Sequence, residues 1–337
     1  MDETAVVRVM TTPGSQGHVT GMRLQGGRSL ETAQLSESYQ TCIQLARRTG
    51  KNFYYSFLTL PRRLADDMCV LYAFMRWTDD LADAEELPEG IREVAIHQWR
   101  EHVRAALKSP LPLAPPAGST QNLFEPLNTM STRLIDTQIL TAMVDVVRRY
   151  QMPEKYLFDV INGVEGDLEA RQFQTFHQLE EYCYHVAGAV GLCCIHIWGF
   201  EGERAEKLAI DCGTAFQLVN VLRDLSEDSA RGRVYLPQED LERFGYTVDD
   251  LRSETRNAAF ESLMKFQVAR AKEYFDRSAG LRECLSPPGR RIYAAMRDIY
   301  GGLLKEIERR RYDVFSQRVR LSGFQKLKSA LMAYVRH

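Results

Sequence analysis

No stretch of this chain is long and apolar enough for a bilayer. The longest such run, from Ala187 to Phe200, is interrupted by His196 and falls short of the ~20 residues a spanning helix needs. A disulfide framework is missing too. The seven cysteines (Cys42, Cys69, Cys183, Cys193, Cys194, Cys212 and Cys284) are odd in number and lack CxxC spacing. Six sit in apolar-periodic segments, so they read as buried thiols of a reducing compartment. Charge of one sign is not in excess: Lys and Arg total 43 against 45 Asp and Glu, a net charge of −2. With neither a zinc-finger spacing nor a basic arm, nucleic acid is excluded as a main partner. Strand-like alternation is almost absent, and no GxGxxG fingerprint occurs, which leaves the use of NADPH open. The N-terminus lacks the apolar core of a secretory signal, and its Gly, Thr and Ser content predicts a disordered tail over residues 1–29.

What remains is an ordinary globular composition, 45% hydrophobic and 26% charged. From Leu30 onward apolar residues recur every three or four positions, through Tyr39–Arg48, Leu64–Asp83, Ile91–Leu107, Thr137–Tyr150, Tyr156–Val164, Phe176–Trp198, Glu203–Asp228, Ala258–Gly280, Pro288–Phe315 and Gly323–Val335. This periodicity predicts about ten helices. Proline marks the breaks, at Pro61, Pro88, Pro153, Pro237 and Pro287-Pro288, and a surface loop is expected from Ser109 to Gln121. No break separates regions of different composition and no repeat has a fixed period. One all-α domain over residues 30–337, a single helical bundle around a central cavity, is the economical expectation.

Two acidic stretches stand out. In Leu71–Asp83 the helical period puts Tyr72, Arg76, Asp79 or Asp80, and Asp83 on one face. Carboxylates four apart repel by about 0.2–0.5 kcal/mol, so the cluster is either a solvated helix end or a site for something cationic. In Gln217–Asp228, the residues Gln217, Asn220, Asp224 and Asp228 form a polar stripe on a helix otherwise apolar around its circumference. Such a stripe faces either a packing network of Arg and Asp or a wet cavity. Asp and Asn oxygens at this spacing suit Mg²⁺, with Mn²⁺ as a substitute, and Arg76, Arg223, Arg231 and Arg233 suit a phosphate. Two such clusters opposed across a cavity would form a clamp for a diphosphate.

These residues resemble a known family. Phe53–Phe57 through Leu60-Pro61, then Tyr72-Ala73-Phe74-x-Arg76-x-x-Asp79-Asp80-x-x-Asp83, then Tyr182–Gly188 with Val190-Gly191, then Gln217-Leu218-x-Asn220-x-x-Arg223-Asp224-x-x-x-Asp228 followed by Arg231-Gly232-Arg233-x-Tyr235-Leu236-Pro237, are similar to the squalene/phytoene synthases. The likeness runs in order from about Ser38 to Leu327. It implies an all-α class I prenyl synthase that joins two prenyl diphosphates head to head.

The resemblance further implies that Asp79, Asp80, Asp83, Asn220, Asp224 and Asp228 hold the metal, and that Arg76, Arg223, Arg233, Lys51 and Arg318 contact diphosphate. It places Tyr72, Tyr184, Gln217 and Asn220 as polar cavity residues, Tyr300 above the pocket and Phe53 on an apolar wall, with Tyr72 and Tyr184 as candidate proton acceptors. Two farnesyl diphosphates giving presqualene diphosphate, and onward squalene or a dehydro or hydroxy derivative, is the expected reaction. Two geranylgeranyl diphosphates giving phytoene is the alternative, and a non-catalytic helical partner protein a third reading of a different class. Substrates and products that partition into lipid suggest a cytoplasmic protein peripheral to a membrane; the sequence does not speak to oligomeric state. Gly188 and Gly191 read either as a kink leaving room for a prenyl chain or as tight helix packing. Glu165, Asp167 and Glu169 read as a surface turn.

Overall fold

A computed structural model describes residues 22–50, 53–84, 87–111, 113, 130–168 and 172–323, and beyond them 325, 329, 332 and 333; the side chains of 22–30, 53 and 130–134 are not described. Among the described residues the chain forms fifteen α-helices. They are α1 (Met22–Thr49), α2 (Phe53–Phe57), α3 (Arg62–Ala82), α4 (Glu89–Lys108), α5 (Met130–Arg149), α6 (Lys155–Glu165), α7 (Phe176–Cys183), α8 (Ala189–Trp198), α9 (Ala205–Arg223), α10 (Leu225–Ala230), α11 (Gln238–Phe244), α12 (Val248–Arg252), α13 (Ala258–Arg277), α14 (Leu281–Cys284) and α15 (Pro287–Arg309). A π-helical turn, Tyr184–Gly188, joins α7 to α8. Nine of the ten expected segments fall on α1, α3, α4, α5, α6, α7 with α8, α9 with α10, α13 and α15, while the tenth, Gly323–Val335, lies mostly outside the described residues; α2, α11, α12 and α14 are too short to show a period of their own. Strand pairing is limited, among the described residues, to two isolated bridges, Gln172 with Val234 and Phe200 with Leu285.

Local chemistry sets the helix ends. Pro61 and Pro88 precede α3 and α4. Thr175 accepts from the Gln178 N–H while the Gln178 side chain reaches back, a capping box that starts α7. Ser286 accepts from Gly289 N ahead of the two prolines that open α15. Gly245, left-handed at φ 65°, closes α11. Helix α1 begins at Met22, inside the stretch that composition assigned to a tail; residues 1–21 of that tail lie outside the described residues, as does most of the expected 109–121 loop.

Two apolar cores result. One gathers α1, α3, α4, α5, α6 and α8, with Phe74 and Trp99 fully enclosed at 5.6 Å between ring centroids. The other gathers α7, α11, α12 and α13. Each enclosed Leu or Phe contributes about 1.5–3 kcal/mol. Helices α9 and α15 serve both: Ala209, Cys212 and Tyr293 pack into the first, Leu218, Leu222 and Leu303 into the second. The seam between the cores is where a cavity opens.

Candidate active site

The cavity, about 130 Å³, is walled by α8, α9, α14 and α15. Its lining is apolar along Val190, Cys194, Trp198, Leu281 and Met296, and polar at Gln217, Asn220 and Tyr300. Small residues let its walls close together. A Cβ on Gly213 would collide with the carbonyl of Ala187, and one on Gly191 would lie 2.9 Å from the carbonyl of Ala209. The small-residue patch packs helix to helix at Gly191 and Gly213, and a π-helical turn ends at Gly188. Phe216 stacks on Tyr300 with centroids 4.2 Å apart and planes within 9°, roofing the cavity with an aromatic face.

The two acidic stretches sit at helix C-terminal ends. Asp79 and Asp80 lie in the last turn of α3, with Asp83 as its cap. Asp224 caps α9. There, unsatisfied carbonyls add partial negative charge to the carboxylates, an arrangement that costs about 0.3–1 kcal/mol per group and favours a cation. The second stretch is not the single helix its periodicity suggests. The chain breaks at Asp224 (φ −105°, ψ 13°) and resumes as α10, which carries Asp228. The bonds Asp224 N to Asn220 O (3.0 Å) and Asp228 N to Asp224 O (2.9 Å) keep the two pieces in line. Ser226, Asp228 and Ser229 of α10 are weak helix formers and permit the kink.

Arg233 joins the walls. Both terminal nitrogens lie 3.3 Å from Asp83 Oδ1 on the α3 side, and Nη2 donates to the Asp167 carbonyl at 3.2 Å. Other arginines occupy the remaining acids. Arg76 pairs with Asp80, and Asp224 accepts from Arg223 Nε at 2.8 Å and Nη2 at 2.5 Å and from Arg318 Nε at 2.9 Å. Among the described residues Asp79 and Asp228 have no ion pair. Desolvation by the surrounding atoms, then the neighbouring Asp83, lifts the Asp79 carboxyl to about 7 although the residue keeps an exposed surface. Burial, then Asp224, lifts Asp228 to about 7.

Among the described residues no three of His, Cys, Asp or Glu are gathered closely enough to hold a metal ion. The six expected metal ligands are therefore not assembled as a set, because arginines draw Asp80, Asp83 and Asp224 aside. The site still fits a cation with a diphosphate. Among the described residues Asp79 and Asp228 make no direct ion pair, though Arg76 lies near the first and Arg233 and Arg231 near the second, and Arg76 Nε is buried with no partner among the described residues, a donor waiting for an anion.

Placement of the other expected residues is mixed. Gln217 accepts from Asn220 Nδ2 at 3.1 Å, and both line the cavity with Tyr300. Tyr72 donates to Thr49 at 3.2 Å and faces Arg76, Asp79 and Asp80. Lys51 lies outside the described residues, and only the backbone of Phe53 is described.

Tyr184 is a correction. Its hydroxyl donates to Asp159 at 2.7 Å, and its charged neighbour is that α6 carboxylate rather than either acidic wall. Tyr182, two positions earlier and so on the opposite helix face, is the tyrosine that turns inward. It donates to Asp167 Oδ2 at 2.9 Å, stacks on Tyr235 at 5.2 Å, and burial holds it protonated well above the usual phenol range.

Asp167 likewise departs from the expected surface turn, since it is among the charges bearing on Asp79 and accepts from Tyr182 and Tyr235. Glu165 does remain at the surface, paired with Arg100, and Glu169 lies outside the described residues. A partial signal for Tyr182 is its place on the buried stripe with Leu179 and Cys183; no local signal marks Asp167.

The chain is an all-α bundle in which two acidic helix ends lie next to the helices that wall an apolar cavity. A family model described as squalene/phytoene synthase matches residues 46–325. The chain is 30% identical over 317 residues to a 15-cis-phytoene synthase of Synechococcus elongatus, covering 90% of this chain and 94% of that one. It is 31% identical over 317 residues to a 15-cis-phytoene synthase of Synechocystis sp., covering 90% and 86%. Among solved structures it is similar to a dehydrosqualene synthase in complex with ligand, at TM-score 0.74 and 25% identity over 91% of this chain and 98% of that one. It is also similar to a squalene synthase from Alicyclobacillus acidocaldarius, at 0.68 and 25% over 83% and 96%. The chain belongs to the squalene/phytoene synthase family, whose members are prenyltransferases. No helix among the described residues is long and apolar enough to cross a membrane.

Proposed function

We propose that this protein condenses two prenyl diphosphates head to head, ionising one at the acidic mouth and sheltering its cation in the cavity below. What supports this is the pair of acidic helix ends that Arg233 bridges, through Asp83 and the Asp228 carbonyl, with Asn220, whose carbonyl accepts from Asp224 N, lining the apolar cavity. Asp79, Asp83, Asp224 and Asp228, with Asp80 and Asn220 beside them, would hold Mg²⁺, or Mn²⁺ in its place, whose charge stabilises the leaving diphosphate. Arg76, Arg223, Arg233 and Arg318 present forked donors to its oxygens, and they act strongly because the site is partly withdrawn from water. The C1–O bond breaks, the diphosphate leaving with the electron pair and C1 becoming part of an allylic cation. Apolar walls keep water from capturing it, and the Phe216–Tyr300 face offers π density. Attack by the 2,3 double bond of the second substrate forms the new bond, and loss of a proton yields a cyclopropylcarbinyl diphosphate. Tyr182, held by Asp167 and Tyr235, is positioned to relay that proton toward the released diphosphate.

Two chain lengths compete. Farnesyl diphosphate is the expectation from the sequence. The 30–31% identity to proteins named phytoene synthases favours geranylgeranyl diphosphate, and this is the reading to test first. Incubating the pure protein with each substrate, with and without NADPH, and extracting the products for mass spectrometry separates them. A C40 product from the longer substrate alone supports the second reading; turnover of farnesyl diphosphate alone restores the first. Lipid-soluble products support peripheral contact with a membrane, which flotation with liposomes checks.

A further inference from the structure

Arg318 stands apart from the other arginines of the mouth. It lies 94 positions from the carboxylate it grips, on the segment that follows α15. Its Nε donates to Asp224 Oδ1 at 2.9 Å, and its Nη1 pairs with Glu227 at 2.9 Å. Arg223 takes Asp224 from the other side through both of its oxygens. Asp224 and Glu227 are therefore neutralised by Arg223 and Arg318, and Oδ1 already accepts two donors. A divalent cation approaching Asp224 meets two guanidinium groups of its own sign and an occupied oxygen.

One of those groups is free to leave. Arg223 belongs to α9 and is 12% exposed, so its helix holds it in place. The Arg318 side chain is 34% exposed. Its backbone, by contrast, is anchored: Val314 and Val319 on either side are buried, and Arg310 Nη1 donates to the Gln317 carbonyl at 3.1 Å. The side chain can swing while the segment stays put. A diphosphate oxygen offers its fork the same charge-assisted geometry that the carboxylate does.

We propose that Arg318 is a positioning residue that occupies Asp224 in place of a cation and moves to diphosphate when substrate arrives, handing Asp224 to the metal. The inference rests on the reading of the site given above and adds an order to it. Metal alone binds weakly because Arg318 blocks its ligand, and diphosphate releases the block. Because binding free energies are reciprocal, each ligand then strengthens the other. Chemistry starts only when both are present, which protects against ionisation at a half-built site.

The test uses Mn²⁺ alone, followed by its paramagnetic resonance, and inorganic pyrophosphate alone, followed by calorimetry on chelator-treated full-length protein. Arg318→Gln is expected to tighten Mn²⁺ binding and weaken pyrophosphate binding, each by about tenfold, within the 5–150-fold span of typical coupling. Arg320→Gln removes an exposed neighbouring charge that does not touch Asp224, and is expected to move both by less than twofold. Arg318→Lys keeps the charge without the fork and is expected to fall between wild type and Arg318→Gln in both measurements. It also provides a folded comparison, checked by circular dichroism.

A loss of Mn²⁺ affinity in Arg318→Gln, or no change, overturns the inference. If it is unchanged while Asp228→Ala abolishes Mn²⁺ binding, the site reading stands and the Arg318 lock alone is refuted. If neither wild type nor Arg318→Gln takes up Mn²⁺, the lock falls together with that reading.

Discussion

The same three residue types, Asp, Arg and Tyr, cluster twice in this molecule with opposite results. Between α1, α3 and α5, Asp67 is fully buried and accepts from Tyr39 at 2.9 Å, Arg149 at 2.8 Å and Tyr150 at 2.6 Å. Asp145 shares Tyr39 and Arg149, and Arg63 closes the set. Both acids there have a cation, and both oxygens of Asp67 have donors. At the mouth, Asp79 and Asp228 have no ion pair among the described residues, and both carboxyls are lifted to about 7. A satisfied network fixes packing, whereas an unsatisfied one at the rim of a hollow is a place for a ligand. The difference lies in charge balance and geometry, since composition is alike in the two places.

The largest test of that contrast is to remove an unpaired acid. Asp79→Ala or Asp228→Ala should lower turnover by about 10³-fold or more while circular dichroism stays unchanged, because the lost group stabilises charge in the transition state and no packing depends on it. Substantial Mg²⁺-dependent activity in either variant would break the comparison. Asp67→Ala should do the reverse. Removing the buried carboxylate strips Tyr150 of its acceptor and leaves Arg149 and Tyr39 with Asp145 alone, a loss of about 3–5 kcal/mol read in urea unfolding, with turnover per folded molecule retained.

A smaller effect separates the two tyrosines. Tyr182→Phe is expected to slow turnover by about 10²-fold, in the range of a positioned proton carrier, and Tyr184→Phe to leave it within about twofold. Equal losses would show that the inward and outward faces of this helix are not distinct in function.

The smallest effect is a pH dependence. Burial lifts Asp136 to about 7 against an opposing contact with Trp77. The folded state then holds its proton more tightly than the unfolded chain, so this group's contribution to stability is full below about pH 4 and is lost as pH rises through about 7. Melting temperature measured from pH 4 to 8 in metal-free buffer should fall less steeply in Asp136→Asn than in wild type. An unaltered slope would remove Asp136 from the account.

Much of this was legible in the residues. Helical periodicity and proline punctuation are local, so the all-α class and the long helices could be read directly. Short helices such as α11 and α12 carry too few residues for a period and were not. The Asp79–Asp83 and Asp224–Asp228 stretches announced themselves because acids beside apolar residues carry a visible local cost. The break at Asp224 did not, since a kink that keeps its hydrogen bonds leaves the spacing intact. Asp167 looked like part of a turn, and only the fold shows that it supports Tyr182 and bears on Asp79.

The order of residues along the chain determined the helical architecture, the family and the two acidic motifs, because each depends on neighbours a few positions away. Tertiary structure alone decided which tyrosine faces inward, which carboxylates keep their charge uncompensated and which arginine stands over Asp224. Those outcomes depend on groups separated by tens to more than a hundred positions that meet only when two cores close around a common seam, and the charge left over at that seam is a property of the packed whole.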